Sequence, residues 1–310
     1  MAEQEQTPQT PGEGPTRSGF IALIGAPNAG KSTLVNQLVG SKVSIVTHKV
    51  QTTRALVRGI VIHDNAQMVL VDTPGIFKPK RRLDKAMVTT AWGGAKDADI
   101  ILVLIDVEQG ITEEVERLLS GIKERQRKVI LVLNKVDRIE APKLLELARQ
   151  ANEMVPFDRT FMISALKGYG CKDLLKYLAD NLPEGPWYYP EDQISDMPMR
   201  MLAAEITREK LYLRLHNELP YSSTVETESW EEKPDGSVRI QQVIYMERDS
   251  QKKIVLGHEG QAIKSIGQAS RKELMEILEQ KVHLFLFVKV RDNWGNDPER
   301  YREMGLEFPR

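Results

Sequence analysis

Gly25-Ala26-Pro27-Asn28-Ala29-Gly30-Lys31-Ser32 carries two glycines, a lysine and a serine at the spacing of a phosphate-binding P-loop. The glycines let the loop curl so that backbone N–H groups point inward, and a following helix N-terminus adds partial positive charge. At these positions Lys31 would reach the outer phosphates and the Ser32 hydroxyl would ligate Mg2+. Asp72-Thr73-Pro74-Gly75 follows about forty residues on, where an apolar run ends. There an aspartate can hold magnesium through a water, and the glycine N–H can meet a γ-phosphate. Asn134-Lys135-Val136-Asp137 comes directly after another apolar run. Asp137 can accept from the ring N–H and the exocyclic amine of guanine, a donor pair that adenine lacks. Ser164-Ala165 is a small-residue loop able to approach a base edge with its backbone. Gln51-Thr52-Thr53-Arg54 offers two threonines, either of which could close on magnesium only when the γ-phosphate is present.

A second constellation lies far downstream. Gly257-His258-Glu259-Gly260 is a Gly-x-x-Gly loop running into Gln261-Ala262-Ile263-Lys264-Ser265-Ile266-Gly267. In KH domains such a loop lets a nucleic-acid backbone pass close by while a neighbouring apolar groove receives unpaired bases. His258 and Glu259 stand where many such loops carry Lys or Arg. Phosphate attraction must then come from Lys252, Lys253, Lys264, Arg271 and Lys272, each of which would otherwise read as a solvated face.

The elements that must position these residues are legible as periodicity. Phe20–Ile24, Leu56–Ile62, Met68–Val71, Ile100–Ile105, Val129–Leu133 and Arg159–Ile163 are strand-sized, and Thr33–Val39, Glu113–Ile122, Ala141–Glu153 and Gly170–Ala179 have helical spacing. That alternation predicts an α/β domain with a doubly wound, mostly parallel sheet, whose ligands bind at the carboxyl ends of the strands. Residues 183–196 open with three prolines and read as a linker with aromatics that pack on one domain or the other. Beyond it the pattern becomes a long helix at Met199–His216, strands at Ser222–Glu231 and Ser237–Arg248 around a Pro234-Asp235-Gly236 turn, a short apolar piece at Ile254–Leu256, a helix at Gln261–Gln280 and a strand at Val282–Val290. The expected division is a disordered tail at 1–17, a nucleotide domain at 18–182, the linker at 183–196 and an α+β RNA-binding domain with its tail at 197–310.

Bulk properties narrow the partners. A formal net charge of -1 excludes a globally basic nucleic-acid binder, so such binding needs a local patch. The single cysteine, Cys171, excludes an internal disulfide and points to a reducing compartment and a passive thiol. The apolar runs are too short to span a bilayer and the first residues lack the pattern of a signal peptide, so a cytoplasmic protein is expected.

Together these motifs resemble the translation-factor-related GTPases, and Pro27-Asn28, Gln51-Thr52-Thr53-Arg54 and Asp72-Thr73-Pro74-Gly75 are similar to the Era branch. The resemblance extends through a type II KH domain to Val290-Arg291-Asp292-Asn293-Trp294 and Gly305-Leu306-Glu307. It implies a P-loop GTPase using GTP/GDP and Mg2+, with slow intrinsic hydrolysis, because Ile76 replaces the glutamine that orients the attacking water in Ras-like enzymes. It also implies a potassium ion at Asn28 as an option, binding to the 3′-terminal region of 16S rRNA, a role in 30S ribosomal subunit assembly as a monomer, and peripheral association with the inner membrane. Two rivals share parts of this reading. One is a membrane-associated cell-cycle signalling GTPase whose C-terminal domain binds protein, and the other is a P-loop ATPase or kinase.

Overall fold

A computed structural model of the chain describes residues 14–122, 127–215, 219–292 and 294–309. The expected tail lies mostly outside these residues, as do His216 and Asn293. The chain gathers into two compact units. One holds the residues up to Ser41, Arg58–Asp72 and Gly93–Asp196, and the other Lys42–Val57, Thr73–Trp92 and Met197–Arg310.

The first unit is built on a sheet of β1 (Arg17–Gly25), β2 (Val57–His63), β3 (Ala66–Asp72), β4 (Ile100–Asp106), β5 (Lys128–Asn134) and β6 (Arg159–Ile163), in the order β2-β3-β1-β4-β5-β6. β1 runs parallel to β3 and β4, β4 to β5, and β5 to β6. Only Asp64 and Asn65 connect β2 to β3, a length that permits antiparallel pairing alone. Every residue of β3 and β4 is buried. That is why Met68–Val71 and Ile100–Ile105 are unbroken apolar runs rather than alternating ones: helices cover both faces of a parallel sheet. Each fully buried Leu or Ile there contributes about 1.5–3 kcal/mol. The helices are α1 (Lys31–Val39), α3 (Glu113–Ile122), α4 (Ala141–Met154) and α5 (Cys171–Asp180), with α2 (Arg82–Asp97) intervening in sequence.

Residues 183–196 are not a free tether. The fully buried Gln67 side chain accepts from the Tyr188 and Tyr189 N–H groups at 2.8 and 3.0 Å and donates to Tyr189 O at 2.7 Å. The Tyr188 ring sits 5.0 Å from that of Phe20, and Trp187 Nε1 donates to Asn65 O. The aromatics of this stretch therefore pack on the first unit.

In the second unit α6 (Met199–Arg214), β7 (Ser223–Glu232), β8 (Val238–Met246), α7 (Asp249–Leu256), α8 (Gln261–Leu278) and β9 (Val282–Val290) follow in order. The sheet runs β7-β8-β9, antiparallel in the first pair and parallel in the second, with Val238 opposite Val282 and Met246 opposite Val290. Its inner face packs on α6 and α8 through Leu211, Ile244, Ile266 and Val288 at one end and Leu202, Ile240 and Leu274 at the other. Leu83, Ala86 and Met87 of α2 form a further cluster with Trp294, Tyr301 and Leu306, beside the short α9 (Pro298–Glu303).

Local pattern misleads at three places. Arg17 already belongs to β1, because its N–H reaches Asn65 O and its guanidinium reaches Leu182 O. The apolar Ile254–Leu256 closes α7 rather than standing alone. Nothing local marks α2, which contains Thr89-Thr90 and Gly93-Gly94 and is held by the burial of Met87, Ala91 and Ala95.

Candidate nucleotide and RNA sites

The P-loop leaves β1 at Gly25, where a Cβ would lie 2.7 Å from Leu104 O. Asn28 at φ 62 and Gly30 at φ 94 turn the chain into α1, whose first residue is Lys31. The Lys31 ammonium is buried and donates to Gly25 O and Ala26 O at 3.1 and 3.0 Å. Burial pulls its pKa down to about 8, opposed by the charge of Asp72. Ser32 Oγ donates to Asp72 Oδ2 at 2.6 Å, and Asp72, at the end of β3, is fully buried. A hydroxyl and a carboxylate brought together in this way are hard oxygen donors. Magnesium takes one or two such protein ligands and completes its shell with phosphate and water, so these residues fit that ion.

Asn134 ties the other motifs to this loop. Its Nδ2 donates to Ala29 O at 2.9 Å, while its Oδ1 accepts from Lys135 N at 2.9 Å and Ala165 N at 3.0 Å. Lys135, at φ 69, extends to Asp106 at 2.6 Å. Asp137 stands 3.1 Å from Lys167 Nζ, and hydrogen bonds from Ser164 and then Lys167 hold its carboxyl below the ordinary range. An ionised carboxylate is acceptor only, the chemistry a guanine edge requires. The first unit thus gathers Gly25 to Ser32, Asp72, Asn134, Lys135, Asp137, Ser164 and Ala165. Asp106 and Lys167 escape sequence reading. Asp106 gives a signal nonetheless: it closes β4 beside Asn134, at the carboxyl edge of the sheet.

Thr52, Thr53, Thr73, Pro74, Gly75 and Ile76 belong to the second unit. The Thr52 hydroxyl donates to Lys49 O at 2.7 Å and lies 2.6 Å from Thr47 Oγ1, and Thr53 is buried. Gln51, at φ 59, donates to Asp84 at 2.6 Å. Asp84 in turn accepts from Lys80 N and Arg81 N at the start of α2. Thr73 and Ile76 are buried.

The downstream glycine loop has a steric reason for its glycines. Gly257 sits at φ 73, ψ 177, and a Cβ there would meet Ala262 Cβ at 2.6 Å and Ala262 N at 2.9 Å. Glu259 and Gly260 also adopt positive φ before α8 begins. Beside the loop, Ile263, Gly267, Leu284 and Leu286 floor a groove of about 490 Å³ rimmed by Lys264 and Arg271. Gly267 leaves its floor without a side chain, and a Cβ there would only touch Leu286, at 3.4 Å. Lys252 and Lys253 lie on α7, next to the loop. Lys272 is exposed, faces Glu276 and does not line the groove.

Fold and site therefore define a P-loop GTPase domain with a mostly parallel sheet joined to a C-terminal KH domain. The chain matches the 50S ribosome-binding GTPase family over residues 20–135 and the KH domain family over residues 218–295. It is 79% identical to GTPase Era of Brucella suis over 294 residues, covering 95% of this chain and 94% of that one. A crystal structure of a point variant of Aquifex aeolicus Era bound to GDP.AlF4- superposes with a TM-score of 0.89 at 39% identity, covering 94% of this chain and 99% of that chain. A structure of Era with MgGDPNP and nucleotides 1506-1542 of 16S ribosomal RNA gives the same TM-score, identity and coverage. The chain belongs to the Era family of GTPases, and it is a GTPase. Among the described residues no helix is long and apolar enough to cross a membrane.

Proposed function

We propose that this GTPase is a nucleotide-controlled factor that binds the 3′ end of 16S rRNA and assists 30S subunit assembly. The observation that carries this reading is the presence on one chain of the Asn134-centred nucleotide pocket and the Gly257–Gly260 loop with its apolar, basic-rimmed groove. The Era structure holding both MgGDPNP and a 16S fragment supports it. In this reading the backbone of Gly25–Ser32 and the Lys31 ammonium bind phosphates, and Asn134, Lys135, Asp137, Ser164 and Ala165 select guanine. Ser32 and Asp72 would hold Mg2+, with Thr52 or Thr53 joining in the triphosphate state and Gly75 meeting the γ-phosphate. Bound magnesium would neutralise charge that develops on the phosphates. Ile76 offers nothing to orient water, which supports slow intrinsic hydrolysis, and a potassium ion at Asn28 is an option. Gly257–Gly260 would pass the RNA backbone, with Lys252, Lys253, Lys264, Arg271 and Lys272 attracting phosphates. The working division is a nucleotide domain at 18–182, a linker at 183–196 and a KH domain at 197–310. Family membership likewise supports a cytoplasmic monomer with peripheral inner-membrane association.

The test is RNA affinity, measured by fluorescence anisotropy with a 16S 3′-end oligonucleotide, in a GTP analogue, in GDP and without nucleotide. Nucleotide control predicts at least tenfold tighter binding in one state. Equal affinity in all three sinks the switch, and no binding in any state sinks the RNA assignment.

A further inference from the structure

Lys135 follows Asn134 at the end of β5, and its ammonium donates to Asp106 Oδ2 at 2.6 Å. Asp106 is the last residue of β4 and stands opposite Asn134 in the parallel pairing. The four-carbon stem of Lys135 therefore crosses from β5 to β4 along the carboxyl edge of the sheet. β4 is also the neighbour of β1, from which the P-loop departs.

The strands do not need this pair to stay together. Their register runs from Ile100 opposite Lys128 to Asp106 opposite Asn134, and Val107 N donates to Asn134 O at 3.1 Å just beyond it. What the pair fixes is a side chain. A lysine stem left to itself samples many rotamers, and ordering it at the moment of binding weakens affinity. Asp106 orders it beforehand, while the lysine side chain stays 33% exposed and so keeps surface to offer a ligand. The carboxylate is itself held in place, because its Oδ1 accepts from Glu108 N at 3.0 Å. One oxygen shapes the turn after β4 and the other receives the ammonium.

We propose that Asp106 is a positioning residue for nucleotide binding: it anchors the Lys135 ammonium so that the apolar stem forms a preset shelf for one face of the purine ring. The inference rests on the reading of Asn134, Lys135, Asp137, Ser164 and Ala165 as the guanine site. In that reading Asp137 meets the base edge and sets which base binds. Asp106 acts through Lys135 and sets how long a purine nucleotide stays.

Asp106→Asn isolates this role, because the amide oxygen can still accept from Glu108 N while the group facing the ammonium loses its charge and becomes a donor. The measurement is stopped-flow release of a fluorescent GDP analogue from the full chain with magnesium, with GDP and IDP as competitors. Release is expected to be about tenfold faster, with association within about twofold of wild type and GDP and IDP weakened by the same factor. Lys135→Met removes the ammonium and keeps an apolar stem. The double variant should release no faster than Lys135→Met alone, a non-additivity that a purely fold-supporting Asp106 would not give. Should D106N fold poorly, Asp106→Ser carries the same expectation, since its hydroxyl can serve Glu108 N but falls short of the ammonium. Release within about twofold of wild type, additive losses in the double variant, or unequal weakening of GDP and IDP would overturn the proposal. Asp137→Asn with an unchanged GDP-over-IDP ratio would instead sink the guanine reading beneath it, so the two failures are told apart.

Discussion

Asn134 and Gly30 approach so closely that a Cβ on Gly30 would lie 2.2 Å from the Asn134 amide nitrogen. The glycine is needed at this position both for its φ of 94 and for the room it leaves, and the amide that fills that room joins the phosphate end of the pocket to the base end.

Asn134→Ala removes three hydrogen bonds and leaves Ala29 O, Lys135 N and Ala165 N to find other partners. Each unsatisfied buried group costs about 1–3 kcal/mol. With partial relaxation we expect a loss of roughly 3 kcal/mol in urea denaturation and a fall of at least a hundredfold in affinity for a fluorescent GTP analogue. A variant within threefold of wild type in both would show that the amide does not organise the pocket.

Asp137→Asn replaces a pure acceptor by a group that donates on one side. GTP affinity is expected to fall by about 10²–10³-fold, with xanthosine triphosphate becoming the preferred nucleotide, because a site built to pair a polar edge penalises the mismatched base. Competition binding against both triphosphates measures this. An unchanged preference for GTP would remove Asp137 from base selection.

Gly257→Ala places a side chain at φ 73, ψ 177, a conformation essentially reserved for glycine, and against Ala262. The local cost is on the order of 1–3 kcal/mol. The RNA affinity of the C-terminal domain should drop at least tenfold, while GTP hydrolysis, followed by phosphate release, stays within twofold of wild type. Retained RNA binding would mean that the loop is not the backbone passage.

Cys171 is 4% exposed, and burial pushes its thiol up to about 11 from an ordinary 9.0. The folded state therefore keeps a proton that the unfolded chain sheds. This stabilising contribution is full below about pH 9 and is lost as pH rises towards 11. Comparison of urea midpoints for wild type and Cys171→Ala between pH 8 and 10.5 should show wild type losing the extra stability with pH. At pH 8 alkylation of the native thiol should be at least a hundredfold slower than in urea. Fast native alkylation would contradict the burial.

The motifs whose chemistry depends on neighbours in sequence are legible in the sequence alone. A P-loop needs a strand before it and a helix after it, both written in local periodicity, and α3 at Glu113–Ile122 follows its apolar spacing residue for residue. The same holds for the Gly-x-x-Gly loop, where steric demand and sequence sit within six residues of each other. Tertiary structure alone decided three things. Asn134 became the joint of the pocket because parallel pairing sets β5 beside β4 and β6, contacts that close loops of dozens of residues. The prolines and aromatics at 183–196 became a packed edge because the buried Gln67 captured their backbone. Residues 42–57 and 73–92 grouped with the C-terminal half through the guanidinium of Arg54, the Gln51–Asp84 bond and the α2 cluster around Trp294. Those side chains are polar or ordinary in local sequence. Their partners lie from tens to some two hundred residues away, so no periodicity could announce them.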